Sequence, residues 1–204
     1  MSQRKQHWDN IYTQKSSTEV SWYQKEPLIS LDLIEKCHFH VDDYLIDVGG
    51  GASHLVDYLL RAGYQHLMVL DISAKSLEIA QQRLGDEAAK VLWLESDITE
   101  FSPSLTIDLW HDRAVFHFLV EPSDRRRYID ALDKTLKSGG HVIIAAFALG
   151  GPTQCSGLDI VQYDAKKLMI EFGDGFRILD QQSEMHMTPA NKPQQFTYYR
   201  LQKL

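Results

Sequence analysis

The sequence contains few cysteines and no long apolar run. Cys37 and Cys155 are the two cysteines among 204 residues, and no C-x-x-C spacing occurs, which excludes a zinc knuckle or a thioredoxin-like motif. No stretch approaches the roughly 20 apolar residues that a membrane-spanning helix needs. The first residues lack the apolar core of a signal peptide. We therefore expect a cytoplasmic protein with reduced thiols, no membrane partner and no bound metal.

An excess of positive charge is also missing. The 21 Lys and Arg against 28 Asp and Glu give a net charge of −7, and an acidic chain repels phosphate backbones, so no nucleic-acid partner is expected. The one dense basic cluster, residues 125–127, has acidic neighbours and is interpreted as a solvated helix face. With 44% hydrophobic and 24% charged residues, the composition is typical of a globular chain. Residues 1–204 are expected to form one domain, a monomer or a weak dimer.

Short apolar runs alternate with helical patterns along most of the chain. The predicted strands are 44–48, 66–70, 91–95, 107–111, 141–148, 177–186 and 195–203. The predicted helices are 52–62, 74–84, 124–136 and 164–172. Turns are expected around Pro103, at Ser138-Gly139-Gly140 and between the last two strands, where Pro189 and Pro193 lie.

This alternation predicts an α/β protein with a Rossmann-like, doubly wound parallel sheet. The last two strands have no helix between them, which indicates an antiparallel hairpin at the sheet edge. Residues 1–40 precede the first strand and contain Trp8, Tyr12, Trp22 and Tyr23. We expect them to form a helical lid over the ligand edge of the core formed by residues 41–204.

A glycine-rich turn follows the first strand. Residues 49–51 are Gly49-Gly50-Gly51, and glycine lets a ligand approach the backbone and lets the chain turn sharply into a helix. Strand-to-helix turns also use glycine for purely structural reasons. The third glycine of the dinucleotide fingerprint is replaced by His54, and no Walker lysine is present. Asp47 stands two residues before the first glycine, where a carboxylate suits a cation better than a pyrophosphate.

Carboxylates follow the next two strands. Asp71 can accept both hydroxyls of a ribose, and Asp97 can accept the amino group of adenine. Ile72 and Ile98 can sandwich the adenine ring. Each aspartate could instead be a helix cap, but acidic or glycine signals at three successive strand ends favour a nucleoside site. S-adenosylmethionine brings an ammonium group, a ribose and an adenine without phosphate, and so matches this set.

These elements resemble class I, seven-stranded S-adenosylmethionine-dependent methyltransferases. The resemblance rests on four segments, Asp47-x-Gly49-x-Gly51, Val69–Ser73, Ser96-Asp97-Ile98 and Leu136–His141. It implies the strand order 3-2-1-4-5-7-6 with the last strand antiparallel, and S-adenosylmethionine as cofactor. The third glycine of the longer family pattern is Ser53 here. The cofactor-binding residues that we expect are Asp47, Gly49, Gly50, Gly51, Asp71, Ile72, Asp97, Ile98, Trp8 and Trp22.

The segment after the fourth strand borders the methyl group in this fold. Its Asp112-Arg113-Ala114 resembles the D-R-G/A stretch of thiopurine methyltransferases and related thiol methyltransferases, and Pro122-x-Asp124-Arg125-x-x-Tyr128 fits them as well. The Trp22-Tyr23 pair also resembles seven-stranded protein lysine methyltransferases. A hydroxyl or protonated amine acceptor needs a base, for which His111, Asp112 and His117 are the candidates. The structural alternatives are a cap or ion pair for Asp112 and a core position for His117.

The expected function is methyl transfer from S-adenosylmethionine to a small-molecule acceptor. A thiolate or neutral amine needs little beyond alignment with the methyl group and exclusion of water. Protein lysine methylation and a catalytically silent cofactor-binding protein are the alternatives. A dinucleotide oxidoreductase is disfavoured by Asp47 and His54.

Overall fold

The computed structural model describes residues 2–102 and 105–204. The strands of the main sheet are β1 Tyr44–Val48, β2 His66–Asp71, β3 Val91–Glu95, β4 Ile107–Arg113, β5 Leu136–Phe147, β6 Phe176–Met187 and β7 Pro193–Lys203. The helices are α1 Gln3–Gln14, α2 Leu28–Glu35, α3 Leu55–Arg61, α4 Ala74–Leu84, α5 Pro122–Thr135 and α6 Ala165–Phe172. Short 3₁₀ turns cover Gly85–Lys90, Ile98–Glu100 and Phe116–Phe118.

The seven strands form one sheet in the order 3-2-1-4-5-7-6. The pairs β1–β2, β1–β4, β2–β3 and β4–β5 are parallel, and β7 runs antiparallel to both of its neighbours. The predicted fold class, strand order and closing antiparallel hairpin are therefore confirmed. A separate two-stranded hairpin pairs Gln154–Cys155 with Leu158–Asp159.

Side chains from the two faces of the sheet fill two apolar clusters. Alternation along β1 sends Ile46 and Val48 into one cluster, with residues of α5 and α6, and Leu45 into the other, with residues of α2, α3 and α4. Helices therefore cover both faces, as a largely parallel sheet requires. This rigid core fixes the positions of the loops that follow β1 to β4.

Several predicted boundaries differ from the structure. The first helix after β1 begins at Leu55 and not at residue 52, because the glycine turn extends to Ser53, whose Oγ accepts a hydrogen bond from the backbone N–H of Leu55 at 3.1 Å. Strand β5 begins at Leu136, so the expected stop at residues 138–140 lies within the strand, where its register with β4 shifts. Pro193 opens β7 and does not lie in the turn. The turn expected around Pro103 lies outside the described residues.

Two further features concern the cysteines and the length of the helices. Cys37 and Cys155 are free thiols. Among the helices of residues 2–102 and 105–204, none is long and apolar enough to cross a membrane.

Candidate functional site

The carboxyl ends of β1 to β4 surround a cavity. Parallel pairing in register brings the ends of these strands to one edge of the sheet, with Val48 opposite Leu70 and Asp71 opposite Glu95. The expected cofactor residues on the wall of this cavity are Trp8, Trp22, Gly49, Asp71, Ile72, Asp97 and Ile98. The topology thus assembles residues that are far apart in sequence at the edge where open α/β sheets bind ligands.

The glycine turn requires glycine for two separate reasons. Gly49 has φ +68° and Gly51 has φ +26°, both in the left-handed region that disfavours other residues. A Cβ at Gly49 would overlap Cγ2 of Val115, and a Cβ at Gly51 would overlap Oδ2 of Asp71. Gly51 lines neither of the two main cavities and instead permits close packing of the turn against Asp71.

Asp71 is a buried carboxylate at the end of β2. It is 7% exposed, and its Oδ1 accepts a hydrogen bond from the backbone N–H of Ser73 at 2.8 Å. Burial, with further contributions from the negative charges of Asp47 and Asp9, raises the pKa of Asp71 to about 7. Each carboxylate oxygen has two acceptor positions, so a carboxylate that already contacts Ser73 and Ser76 can still accept hydrogen bonds from a ligand.

Asp97 is engaged by groups of the chain itself. Nη1 of Arg4 donates to both of its carboxylate oxygens, at 3.0 and 3.2 Å, and the backbone N–H and hydroxyl of Thr99 donate to Oδ1. Arg4 also donates to Asp124 through Nη2, at 2.5 Å. Asp97 therefore caps the 3₁₀ turn that follows it and pairs with α1 while it lines the cavity. Its contact with an adenine amino group stays a prediction.

Aromatic side chains of the N-terminal segment close the cavity. The ring of Trp8 meets Trp22 and Phe118 edge to face, with centroids 5.6 and 4.9 Å apart. The indole N–H of Trp22 donates to the hydroxyl of Tyr12 at 3.3 Å. Arg4, Trp8 and Tyr12 are four residues apart and share one face of α1, a periodicity that could have added Arg4 to the predicted set.

Polar contacts hold α1 against the edge of the sheet. Nζ of Lys5 donates to the carbonyl of Ile72 at 3.3 Å and pairs with Glu95 at 2.9 Å. The hydroxyl of Ser73 donates to Asp9 at 2.7 Å. Tyr12 is the one buried residue of this helix, and Trp8 adds the aromatic contacts with Trp22 and Phe118.

A second cavity also has Tyr12 and Trp22 on its wall. The expected site residues on its wall are Trp22, Asp47, Gly49, Gly50 and His111. Nδ1 of His111 lies 2.7 Å from Oδ1 of Asp47, and its Nε2 lies 2.9 Å from the hydroxyl of Ser30. The two cavities share Tyr12, Trp22, Gly49 and Arg113, so they are compartments of one site.

Asp112 and His117 line neither cavity. Asp112 accepts hydrogen bonds from the backbone N–H groups of Val115 and Phe116 and from the hydroxyl of Tyr128, and burial raises its pKa to about 6. Neither ring nitrogen of His117 has a hydrogen-bond partner among the described residues; the ring stacks on Phe147, and burial lowers its pKa to about 3. These contacts favour a capping role for Asp112 and a core position for His117. Catalytic roles for both residues stay predictions.

Arg113, the arginine of the Asp112-Arg113-Ala114 stretch, lines the site although it was not among the predicted site residues. It is 9% exposed and lines both cavities. Its Nε donates to the hydroxyl of Tyr198, its Nη1 donates to the carbonyl of Trp22, and its Nη2 lies 3.5 Å from a carboxylate oxygen of Glu184. Arg113 thereby fixes the backbone of the aromatic cover to β4, and Glu184 balances its charge.

Residues 45–140 match the family model described as a methyltransferase domain. The eEF1A lysine and N-terminal methyltransferase of Mus musculus is 23% identical over 151 residues, which are 70% of this chain and 21% of that protein. The chain thus spans about a fifth of the length of the curated relatives that it matches.

Solved structures share the whole fold. A SAM-dependent methyltransferase from Anabaena variabilis has a TM-score of 0.77 at 17% identity, covering 100% of this chain and 96% of that chain. The N-methyltransferase NodS from Bradyrhizobium japonicum, in complex with S-adenosyl-L-homocysteine, has a TM-score of 0.70 at 15% identity, covering 96% of this chain and 97% of that chain.

Proposed function

We propose that this chain transfers the methyl group of S-adenosylmethionine to a small-molecule acceptor, because residues 45–140 match a methyltransferase domain and the chain shares its fold with a solved SAM-dependent methyltransferase. The observation that carries the proposal is the pair of joined cavities at the carboxyl edge of the sheet. Both cavities are lined by apolar and aromatic side chains together with a few polar groups, as small-molecule sites usually are. Tyr12 and Trp22 of the N-terminal segment line both of them.

The residues present fit S-adenosylmethionine. Asp71 offers a carboxylate to the ribose hydroxyls. Gly49 presents only its backbone to the cavity, and a Cβ at this position would overlap Val115. Ile72 and Ile98 offer apolar surface to the adenine ring. In the second cavity Asp47 offers a carboxylate to the ammonium group of the aminoacyl end.

Bound S-adenosylmethionine supplies an electrophilic methyl group on a sulfonium. The chain's own contribution is to align the acceptor and to exclude water, which Trp8, Tyr12 and Trp22 do by covering the site. Among the described residues on the two walls, His111 has both ring nitrogens within hydrogen-bond distance of protein groups. We therefore infer an acceptor that needs no enzyme base, such as a thiolate or a neutral amine.

The test is transfer of a radiolabelled methyl group in a cell lysate that is then separated into protein and small-molecule fractions. Label is expected in the small-molecule fraction with the wild-type protein and in neither fraction with the Asp71→Asn variant. Label confined to the protein fraction would overturn the small-molecule acceptor while retaining methyl transfer.

Protein lysine methylation is the second candidate. It is favoured by the curated relative named as an eEF1A lysine and N-terminal methyltransferase, at 23% identity. A polypeptide acceptor needs a path by which a lysine side chain reaches the joined cavities. Cofactor binding without transfer to either fraction would instead support a silent binding protein.

Residues 1–40 are proposed to act as a lid on this site. Two ion pairs that join α1 to the sheet edge, Arg4 with Asp97 and Lys5 with Glu95, are partly exposed, and such pairs contribute little to stability. S-adenosylhomocysteine should therefore slow proteolytic cleavage between Ser16 and Val20. Deletion of residues 1–24 should abolish transfer and leave the sheet folded. Unchanged cleavage with ligand would show that the segment does not close over the site.

A further inference from the structure

Asp47 carries a buried carboxylate oxygen without a protein partner. The residue is 3% exposed, and Oδ2 makes no hydrogen bond to any of the described residues. A Cβ at Gly50 would lie 2.5 Å from this oxygen, so Oδ2 faces the backbone of the glycine turn on the wall of the second cavity. Leaving a carboxylate oxygen buried and unpaired costs free energy, which a cationic ligand group would recover.

The other oxygen of Asp47 is held by His111. The two residues are directly paired in the parallel register of β1 and β4, so their side chains lie on the same face of the sheet. Nδ1 of His111 lies 2.7 Å from Oδ1 of Asp47, and both side chains are 4% exposed. A carboxylate can only accept, so the proton of this hydrogen bond belongs to Nδ1.

Ser30 on α2 fixes the opposite side of the imidazole ring. Its hydroxyl lies 2.9 Å from Nε2 of His111, and the residue is 1% exposed. A serine hydroxyl can both donate and accept, so this contact with Nε2 is compatible with either protonation state of the ring. The orientation of the ring is therefore set by partners on two different elements.

We propose that His111 is a positioning residue, oriented by Ser30, that holds Asp47 so that its free oxygen receives the ammonium group of the cofactor's aminoacyl end. The inference rests on the proposed use of S-adenosylmethionine and deepens it. Both ring nitrogens of His111 contact protein groups, Asp47 and Ser30, and the role proposed for it is to orient Asp47 and not to remove a proton from the acceptor. Its effect on methyl transfer is indirect, through the affinity of the aminoacyl end.

Two ligands separate this role from a general structural one. S-adenosylhomocysteine contains the aminoacyl end, and 5′-methylthioadenosine has the same nucleoside without it. Calorimetry with both is expected to show that His111→Ala weakens S-adenosylhomocysteine about tenfold or more, the equivalent of one hydrogen bond to a charged group. The affinity for 5′-methylthioadenosine should stay the same.

Conservative variants test the geometry. His111→Asn keeps an N–H near the position of Nδ1 and should recover most of the loss, whereas Ser30→Ala should give a smaller loss confined to S-adenosylhomocysteine. His141→Ala, which removes a half-buried imidazole from β5 outside both cavities, is the matched control and should leave both affinities unchanged.

The outcomes are distinguishable. Equal weakening of both ligands by His111→Ala, or no weakening of either, would overturn the positioning role. If His111→Ala does not fold, a Ser30→Ala variant that binds both ligands like the wild type would overturn it as well. Failure of the wild-type protein to bind either ligand would instead overturn the proposed cofactor.

Discussion

Acidification from pH 7.5 to 5.5 is expected to weaken the binding of S-adenosylhomocysteine through Asp71. Burial at the end of β2 raises the pKa of this carboxyl to about 7 in the free protein. Above that pH the carboxylate is ionised and can accept hydrogen bonds from both ribose hydroxyls. Below it the carboxyl becomes protonated and loses part of this capacity, so the affinity falls as the pH falls.

The magnitude follows from two hydrogen bonds to a charged acceptor. At about 1.5 kcal/mol each they favour ligand binding to the ionised form by about 3 kcal/mol, roughly a hundredfold. With half-protonation of Asp71 near pH 7, this preference gives a loss of about twentyfold in affinity between pH 7.5 and 5.5. The same preference predicts the release of about 0.8 proton on binding at pH 6.

Calorimetry at three pH values, in two buffers of different ionisation enthalpy, measures both quantities. Asp71→Asn keeps an acceptor for the N–H of Ser73 and removes the titrating group. The variant should bind weakly at every pH and release no proton. An affinity that is flat between pH 5.5 and 7.5, or a slope that persists in Asp71→Asn, would refute the assignment of Asp71 to the ribose.

Three substitutions test other parts of the structure. Gly49→Ala should lower both the melting temperature and the cofactor affinity, because its φ is +68° and its Cβ would overlap Val115; Gly150→Ala, at φ +81° with no atom within 4 Å, should keep the affinity. Tyr128→Phe should destabilise the protein by about 1–3 kcal/mol in urea unfolding, since its buried hydroxyl joins a buried indole N–H to a carboxylate; a smaller effect would mean that water replaces the hydroxyl. The free energy of unfolding of the His117→Leu variant should stay within about 1.5 kcal/mol of the wild-type value, because the substitution replaces a neutral core side chain by one of similar volume. Loss of methyl transfer in a folded variant would support a catalytic role for His117.

The sheet could be predicted because its information is local. Each strand of β1 to β5 is a short apolar run bounded by turn residues, and each is followed by a helix or a glycine turn. The order of the strands came from the family resemblance and not from the residues. The start of α3 was placed too early because Ser53 supports the turn and not the helix.

His111 and Asp112, two of the candidate bases, show what the pairing of strands adds to a prediction from local sequence. His111 and Asp112 are adjacent on β4, so their side chains point to opposite faces of the sheet. His111 therefore meets Asp47, while Asp112 meets Tyr128. Strand alternation alone shows that these two residues cannot share one cavity wall, but it does not identify which of them reaches the ligand.

The partners of the site's charged groups are the part that local sequence cannot supply. Arg4 and Asp97 are 93 residues apart, and His111 and Ser30 are 81 residues apart. Each pair exists because α1 or α2 crosses the edge of a sheet whose order is set elsewhere. The acidic residues at the strand ends predict where a ligand binds, whereas the elements packed over them decide which carboxylate oxygens already have protein partners. Among the described residues, Oδ2 of Asp47 makes no hydrogen bond, while Oδ1 of Asp71 accepts one from the backbone N–H of Ser73. We therefore expect recognition of the two ends of the cofactor to depend on α1 and α2 as well as on the glycine turn.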